Sequence, residues 1–138
     1  MSNTLTSLPA GHWPARRSII SAQLQTQFGM DQGLSIEQCL AGSGLTLSQL
    51  GDPASEIDAS QELILIGNLV AALGHIPDLG LLAGQRYHLS TYGIWGFALL
   101  SCPTLRSAAN MGLRYLDLTY AFCRMHLEDR GGDIHLRL

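Results

Sequence analysis

The sequence predicts an α+β fold, mainly helical, that ends in an antiparallel β-hairpin and forms part of a larger mixed domain. Three observations predict it. Apolar residues recur at helical spacing in several segments between residues 16 and 119. Ser, Thr or Asp precedes most of these segments, and Gly or Pro follows. After residue 120 the period falls to two on either side of Asp129-Arg130-Gly131-Gly132, a turn signal.

Residues 1–15 are polar, with Pro9, Gly11 and Pro14, and predict a loose arm before a single domain over residues 16–138. The first helix is expected over residues 16–28, with Ile19, Ile20, Leu24 and Phe28 as its apolar face and Gly29 after its end. Ser35 is placed to cap a short helix, IEQCLA, and Thr46 a second one, LSQL, closed by Gly51-Asp52-Pro53. Residues 31–53 hold no Arg or Lys, so these two capped turns are packing elements and not a DNA-reading pair.

Asp58 or Ser60 opens the strongest helix, which runs through Leu73. Its expected inner face is Leu63, Ile66, Val70 and Leu73, broadened by Ile64, Leu65 and Leu69. Gly74 ends it and Pro77 blocks continuation; Asp78 is the expected cap of LGLLAGQRY. Ser90 or Thr91 is the expected cap of YGIWGFALLS, where Gly93 and Gly96 point to close backbone approach. Cys102-Pro103 breaks that helix, and Pro103 or Thr104 starts the next, TLRSAANMGLRYLDLT, with Leu105, Ala109, Gly112 and Leu116 inward.

In the hairpin, Ala121, Cys123, Met125 and Leu127 alternate with Phe122, Arg124, His126 and Glu128, and Ile134, Leu136 and Leu138 alternate with His135 and Arg137. The alternation runs to Leu138. A lone hairpin is only marginally stable, so it is expected to lie on the helices, to pair across a dimer, or to continue into more chain, which is the preferred reading.

Charged residues make up 14% of the 138 positions, against about a quarter in ordinary domains. So few charges point to surface hidden in a partner or in further chain. The net charge of −3 excludes a free-standing nucleic-acid binder by composition. All eight basic residues are arginine. Cys39, Cys102 and Cys123 are widely spaced and match no zinc pattern, which fits reduced thiols in a cytoplasmic protein. The N-terminus has no signal-peptide core, and the apolar run Ile94–Leu100 is too short to span a bilayer.

No phosphate loop, dinucleotide fingerprint, HExxH or nucleophile elbow is present, so no catalytic residue, resident metal or cofactor is expected. His126 and His135 could face each other across the hairpin, but two ligands without a third make a poor metal site. His88 beside Tyr87 is a candidate haem ligand, weighed against an ordinary loop role. Cys102, ahead of a helix start, is a candidate redox thiol. A stronger cluster is Arg86, Tyr87, His88, Tyr92 and Trp95, which combines one fixed cation, hydroxyls and a large aromatic within ten residues. Small-ligand pockets use that mixture. The competing reading of Tyr92 and Trp95 is as core anchors. Arg114 and Tyr115 form a second candidate pair.

Gly44-Leu45, Ser48–Leu50, Asp52-Pro53, Pro77, Leu79-Gly80-Leu81, Gly84, Tyr92-Gly93, Gly96 and the Ser101-Cys102-Pro103-Thr104-Leu105 break together carry a likeness. In their order and spacing the chain resembles the N-terminal, arabinose-binding-like domain of AraC-type transcriptional regulators. The resemblance implies a non-enzymatic effector-sensing domain of a cytoplasmic transcription factor. Its partners would be an unidentified small-molecule effector and, as a homodimer, a second copy. DNA would be reached only through a C-terminal helix-turn-helix pair that this sequence does not contain. A haem- or thiol-based sensor, or an interaction module without a small ligand, is the alternative.

Overall fold

The computed structural model describes residues 14–138. The expected arm lies outside the described residues up to residue 13. The rest falls into two units, residues 14–87 and 88–138.

Arg16–Ser18 is not the first turn of a helix but a strand, β1. It pairs antiparallel with β2, Glu56–Asp58, with Arg17 opposite Ile57. Strands this short carry no period of their own; a partner 40 residues away creates them. Helix α1 then runs Ile20–Asp31, with Ile19 and Phe28 buried as expected. Helices α2, Ile36–Leu40, and α3, Leu47–Leu50, are capped as the sequence predicts. The Ser35 hydroxyl accepts from Gln38 N–H and the Gln38 side chain accepts from Ser35 N–H; Thr46 and Gln49 repeat the exchange.

Helix α4, Ala59–Leu73, starts after Asp58 as expected. Its buried face is Glu62, Leu65, Leu69 and Leu73, rotated from the expected stripe, and Ile64 and Val70 are exposed. An apolar pattern that wraps most of a helix does not say which side meets the core, and the position of Arg17 decides it. At the crossing of α1 and α4, Gly29 has no room for a side chain: a Cβ would lie 2.6 Å from Leu69 Cδ2 and 2.7 Å from Cys39 Sγ. Helix α5 is Leu79–Gly84; Asp78 precedes it in a left-handed conformation and makes no cap bond, contrary to expectation. Ile19, Ala22, Phe28, Cys39, Leu45, Ile57, Leu65, Leu69 and Leu73 form the core.

The second unit opens with a 3-10 turn, Leu89–Tyr92, followed by α6, Gly93–Leu100. The expected cap is replaced by this turn, whose own N–H of His88 bonds Thr91 Oγ1. Thr104 caps α7, Leu105–Arg114, as predicted. That helix is shorter than expected, and Leu116–Leu118 forms a separate 3-10 turn. The hairpin is β3, His126–Arg130, and β4, Asp133–Arg137. His126 faces Arg137 and His135 faces Glu128, so the two histidines are not opposite each other. An Arg106–Asp129 ion pair ties the hairpin to α7.

Candidate functional site

The six candidate contact residues divide between the units. Arg86 and Tyr87 close the first unit; Tyr92, Trp95, Arg114 and Tyr115 belong to the second.

Arg86 is engaged on the surface of the first unit. Its Nη1 lies 2.7 Å from Asp31 Oδ2, and its guanidinium sits 5.7 Å from the Phe28 ring centre. Hydrogen bonds from Gln27, then from Arg86, hold the Asp31 carboxyl below its usual range. Tyr87 reaches into a buried polar cluster that sequence reasoning missed. There Arg17 Nη1 donates to Glu62 Oε2 at 3.1 Å, and Ser21 Oγ donates to the other carboxylate oxygen. The Tyr87 hydroxyl is 2.7 Å from Ser21 Oγ and accepts from Gln25 Nε2 at 2.9 Å. Gln25 Nε2 also reaches Glu62 Oε1 at 3.0 Å. Burial pushes the Glu62 carboxyl up, while Ser21, Arg17 and Gln25 pull it down. No sequence signal joins residues this far apart, although a Glu amid the apolar run of α4 asks for a partner. The cluster links β1, α1 and α4 through the two oxygens of Glu62. Tyr87→Phe removes the hydroxyl that Gln25 and Ser21 share, and is expected to cost about 1–2 kcal/mol in a urea titration.

In the second unit the Tyr92 ring lies 5.2 Å from Trp95 and 5.6 Å from Tyr120, so the aromatic-anchor reading of Tyr92 has a geometric basis. Burial raises the Tyr92 phenol above its usual range, and Tyr120 adds to the rise. Trp95 Nε1 donates to Gly112 O at 3.2 Å, which docks α6 on α7. A Cβ on Gly112 would meet Leu99 at 3.2 Å and Trp95 at 3.3 Å, so the contact depends on the glycine. Arg114 and Tyr115 are exposed at the end of α7. Cys102 Sγ donates to Ala98 O at 3.4 Å within its own helix end. Among the described residues no group of three His, Cys, Asp or Glu could hold a metal ion.

Beside Trp95 lies a groove of about 460 Å³. Leu89, Trp95, Leu99 and Leu100 form one wall. Leu105, Ala108, Ala109, Gly112 and Leu113 of α7 form the floor with Leu116, and Met125, Leu127 and Leu136 of the hairpin form the other wall. The predicted inner stripe of α7 (Leu105, Ala109, Gly112, Leu116) is thus a groove floor and not a closed core. Leu105 is 85% exposed and Leu136 57%, so the groove is open to solvent. All its lining residues are apolar, and the Trp95 N–H is already spent on Gly112.

No helix among the described residues is long and apolar enough to cross a membrane. Two relatives are HTH-type transcriptional regulators named as uncharacterized, one from Mycobacterium bovis and one from Mycobacterium tuberculosis. Each is 29% identical to this chain over 113 residues, which are 79% of this chain and 33% of the relative. The matched region therefore spans about a third of the length of these relatives. No solved structure matches the chain. Residues 33–138 match the family model described as the arabinose-binding domain of AraC transcription regulators, N-terminal. With the match covering most of its length, this chain belongs to the family of N-terminal arabinose-binding-type domains of AraC transcription regulators.

Proposed function

We propose that the chain is the effector-sensing part of a cytoplasmic, DNA-binding AraC-type regulator, and that its effector is an apolar molecule seated in the groove beside Trp95. The groove's uniformly apolar lining carries this reading. A sugar is a poor match despite the family's printed description, because each buried hydroxyl without a partner costs about 1–3 kcal/mol. A hydrocarbon segment of six methylenes gains about 5 kcal/mol on leaving water. Of the six candidate residues, Trp95 lines the groove and Tyr92 braces it; the proposal of direct contact is confined to Trp95. DNA contact is assigned to a helix-turn-helix portion outside this chain, in keeping with the relatives' names and a net charge of −3. An effector that binds one arrangement of the walls better than another shifts the population, and with it DNA binding in the whole regulator. The chain performs no chemistry in this scheme.

The test uses 1-anilinonaphthalene-8-sulfonate as the probe. Its fluorescence is expected to rise and saturate with the wild-type chain and to fall when decanoate competes. Ala109→Phe fills the floor and is expected to abolish the rise without lowering the melting temperature. Unchanged probe binding in Ala109→Phe, or stabilisation by L-arabinose but not by decanoate, refutes the assignment.

A further inference from the structure

We infer that the groove takes a monocarboxylate with an apolar tail, and that Arg106, at one end of the groove floor, is the residue that selects the carboxylate. The inference deepens the effector reading and rests on it.

The groove lining carries no charge of its own. The hairpin face beside it carries one. Leu127 and Leu136 are cross-strand partners in the lining, and the next pair on the same face, toward the turn, is Asp129 with Ile134. Asp129 is the one charged side chain among these four. Arg106 answers it from α7, with Nη1 2.6 Å from Oδ2. Arg106 directly follows Leu105, the first floor residue of α7, and the other cation of that helix, Arg114, lies at the far end. The ion pair therefore sits at one end of the groove, where floor and hairpin wall meet. A ligand lying along α7 meets apolar surface over its length and this pair at its tip.

The hydrogen bonds of the pair decide the sign of the group it takes. Both Asp129 oxygens are engaged, Oδ2 by Arg106 and Oδ1 by the Gly132 N–H at 3.2 Å. Among the described residues, Arg106 donates to Asp129 through Nη1 alone. Its Nε–Nη2 edge remains, and that edge makes two parallel bonds to a carboxylate. The Arg106 side chain is 48% exposed, so a ligand can reach it while the ion pair stays in place. This end of the groove thus offers donors and no unengaged carboxylate oxygen. An ammonium would have to displace Arg106 from Asp129; a carboxylate displaces nothing. Asp129 offsets the charge of Arg106, so selection comes from two charge-assisted bonds of fixed geometry and not from net charge.

The test is displacement of N-phenyl-1-naphthylamine, a neutral probe, from the full chain near neutral pH. Decanoate, 1-decanol and decyltrimethylammonium compete, all with the same hydrocarbon chain. An apolar groove without Arg106 would favour the alcohol, because a carboxylate loses more hydration. The wild type is expected to bind decanoate about tenfold more tightly than 1-decanol, and the ammonium most weakly. Arg106→Gln should reverse the preference for decanoate and leave 1-decanol affinity unchanged, which also shows that the groove is intact. Asp129→Asn breaks the same ion pair but keeps the guanidinium, so the preference should survive in it. Equal or tighter binding of 1-decanol by the wild type, a preference unchanged in Arg106→Gln or lost in Asp129→Asn, or tightest binding of the ammonium overturns the inference. Binding of 1-decanol alone leaves the effector reading standing and removes this one; a probe that none of the three displaces removes both.

Discussion

Glu62→Ala is expected to destabilise the first unit by about 3–5 kcal/mol, because it removes the carboxyl oxygens that accept from Arg17, Ser21 and Gln25 in a buried site. Arg17 is 6% exposed and Glu62 is fully buried. The reciprocal change, Arg17→Met, should cost less. Glu62 already has its carboxyl pushed up by burial, and it can take a proton once the cation is gone. Replacing both partners, Arg17→Met with Glu62→Leu, should cost less than either single change, since apolar pairs of similar volume substitute well for buried ion pairs. Urea unfolding of the three variants orders them; equal losses for Arg17→Met and Glu62→Ala would show that the charge is not what matters.

The same group sets a pH dependence. A carboxyl whose folded pKa is raised favours folding in its protonated form. Its contribution is full below the ordinary value of 4.5 and is lost as pH rises through the raised value. The wild type should therefore gain stability as pH falls toward 4.5, and Glu62→Gln should lose that gain. Asp31 and Asp129 act with the opposite sign in a lower window. Their folded values are depressed by hydrogen bonds from Gln27 and Arg106 respectively, so their stabilisation is lost as pH falls below 3.8.

Gly96→Ala should disrupt the start of the second unit. A Cβ at this position would lie 1.8 Å from the Leu89 carbonyl oxygen and 2.7 Å from its carbon. Those are backbone atoms of the 3-10 turn, so no side-chain rotation relieves the overlap. Alanine in a helix is worth about 1 kcal/mol over glycine. The steric cost exceeds that gain, and a net loss of about 2 kcal/mol or more is expected. Gly80→Ala is the control. That glycine lies in α5 with open space around it, and its substitution should stabilise. Trp95 reports the outcome, since its ring packs on Tyr92 in the displaced turn. In a Trp13→Phe background its emission should shift to the red in Gly96→Ala and not in Gly80→Ala.

Local chemistry was legible. Ser35 with Gln38, Thr46 with Gln49, and Thr104 with Ser107 start helices through side chains three residues from their partners. The Cys102-Pro103 break and the Gly131-Gly132 turn are equally local. Gly96 was legible as a close approach, though not the atom it approaches. The candidate site was legible only in part. Trp95 was singled out, but its groove needs α6, α7 and the hairpin brought together.

By itself, the sequence determined the helix starts, the break between α6 and α7, the terminal hairpin and the family. Each depends on neighbours within a few residues, or on the order of such signals along the chain. Only the tertiary structure decided that Arg16–Ser18 is a strand, that α4 buries Glu62 in place of Val70, and that Tyr87 closes a polar cluster with Ser21. In each of these the deciding partner lies more than 30 residues away. A hydrogen-bond ladder or a buried charge is stabilised only when that partner arrives, and no local period records its arrival.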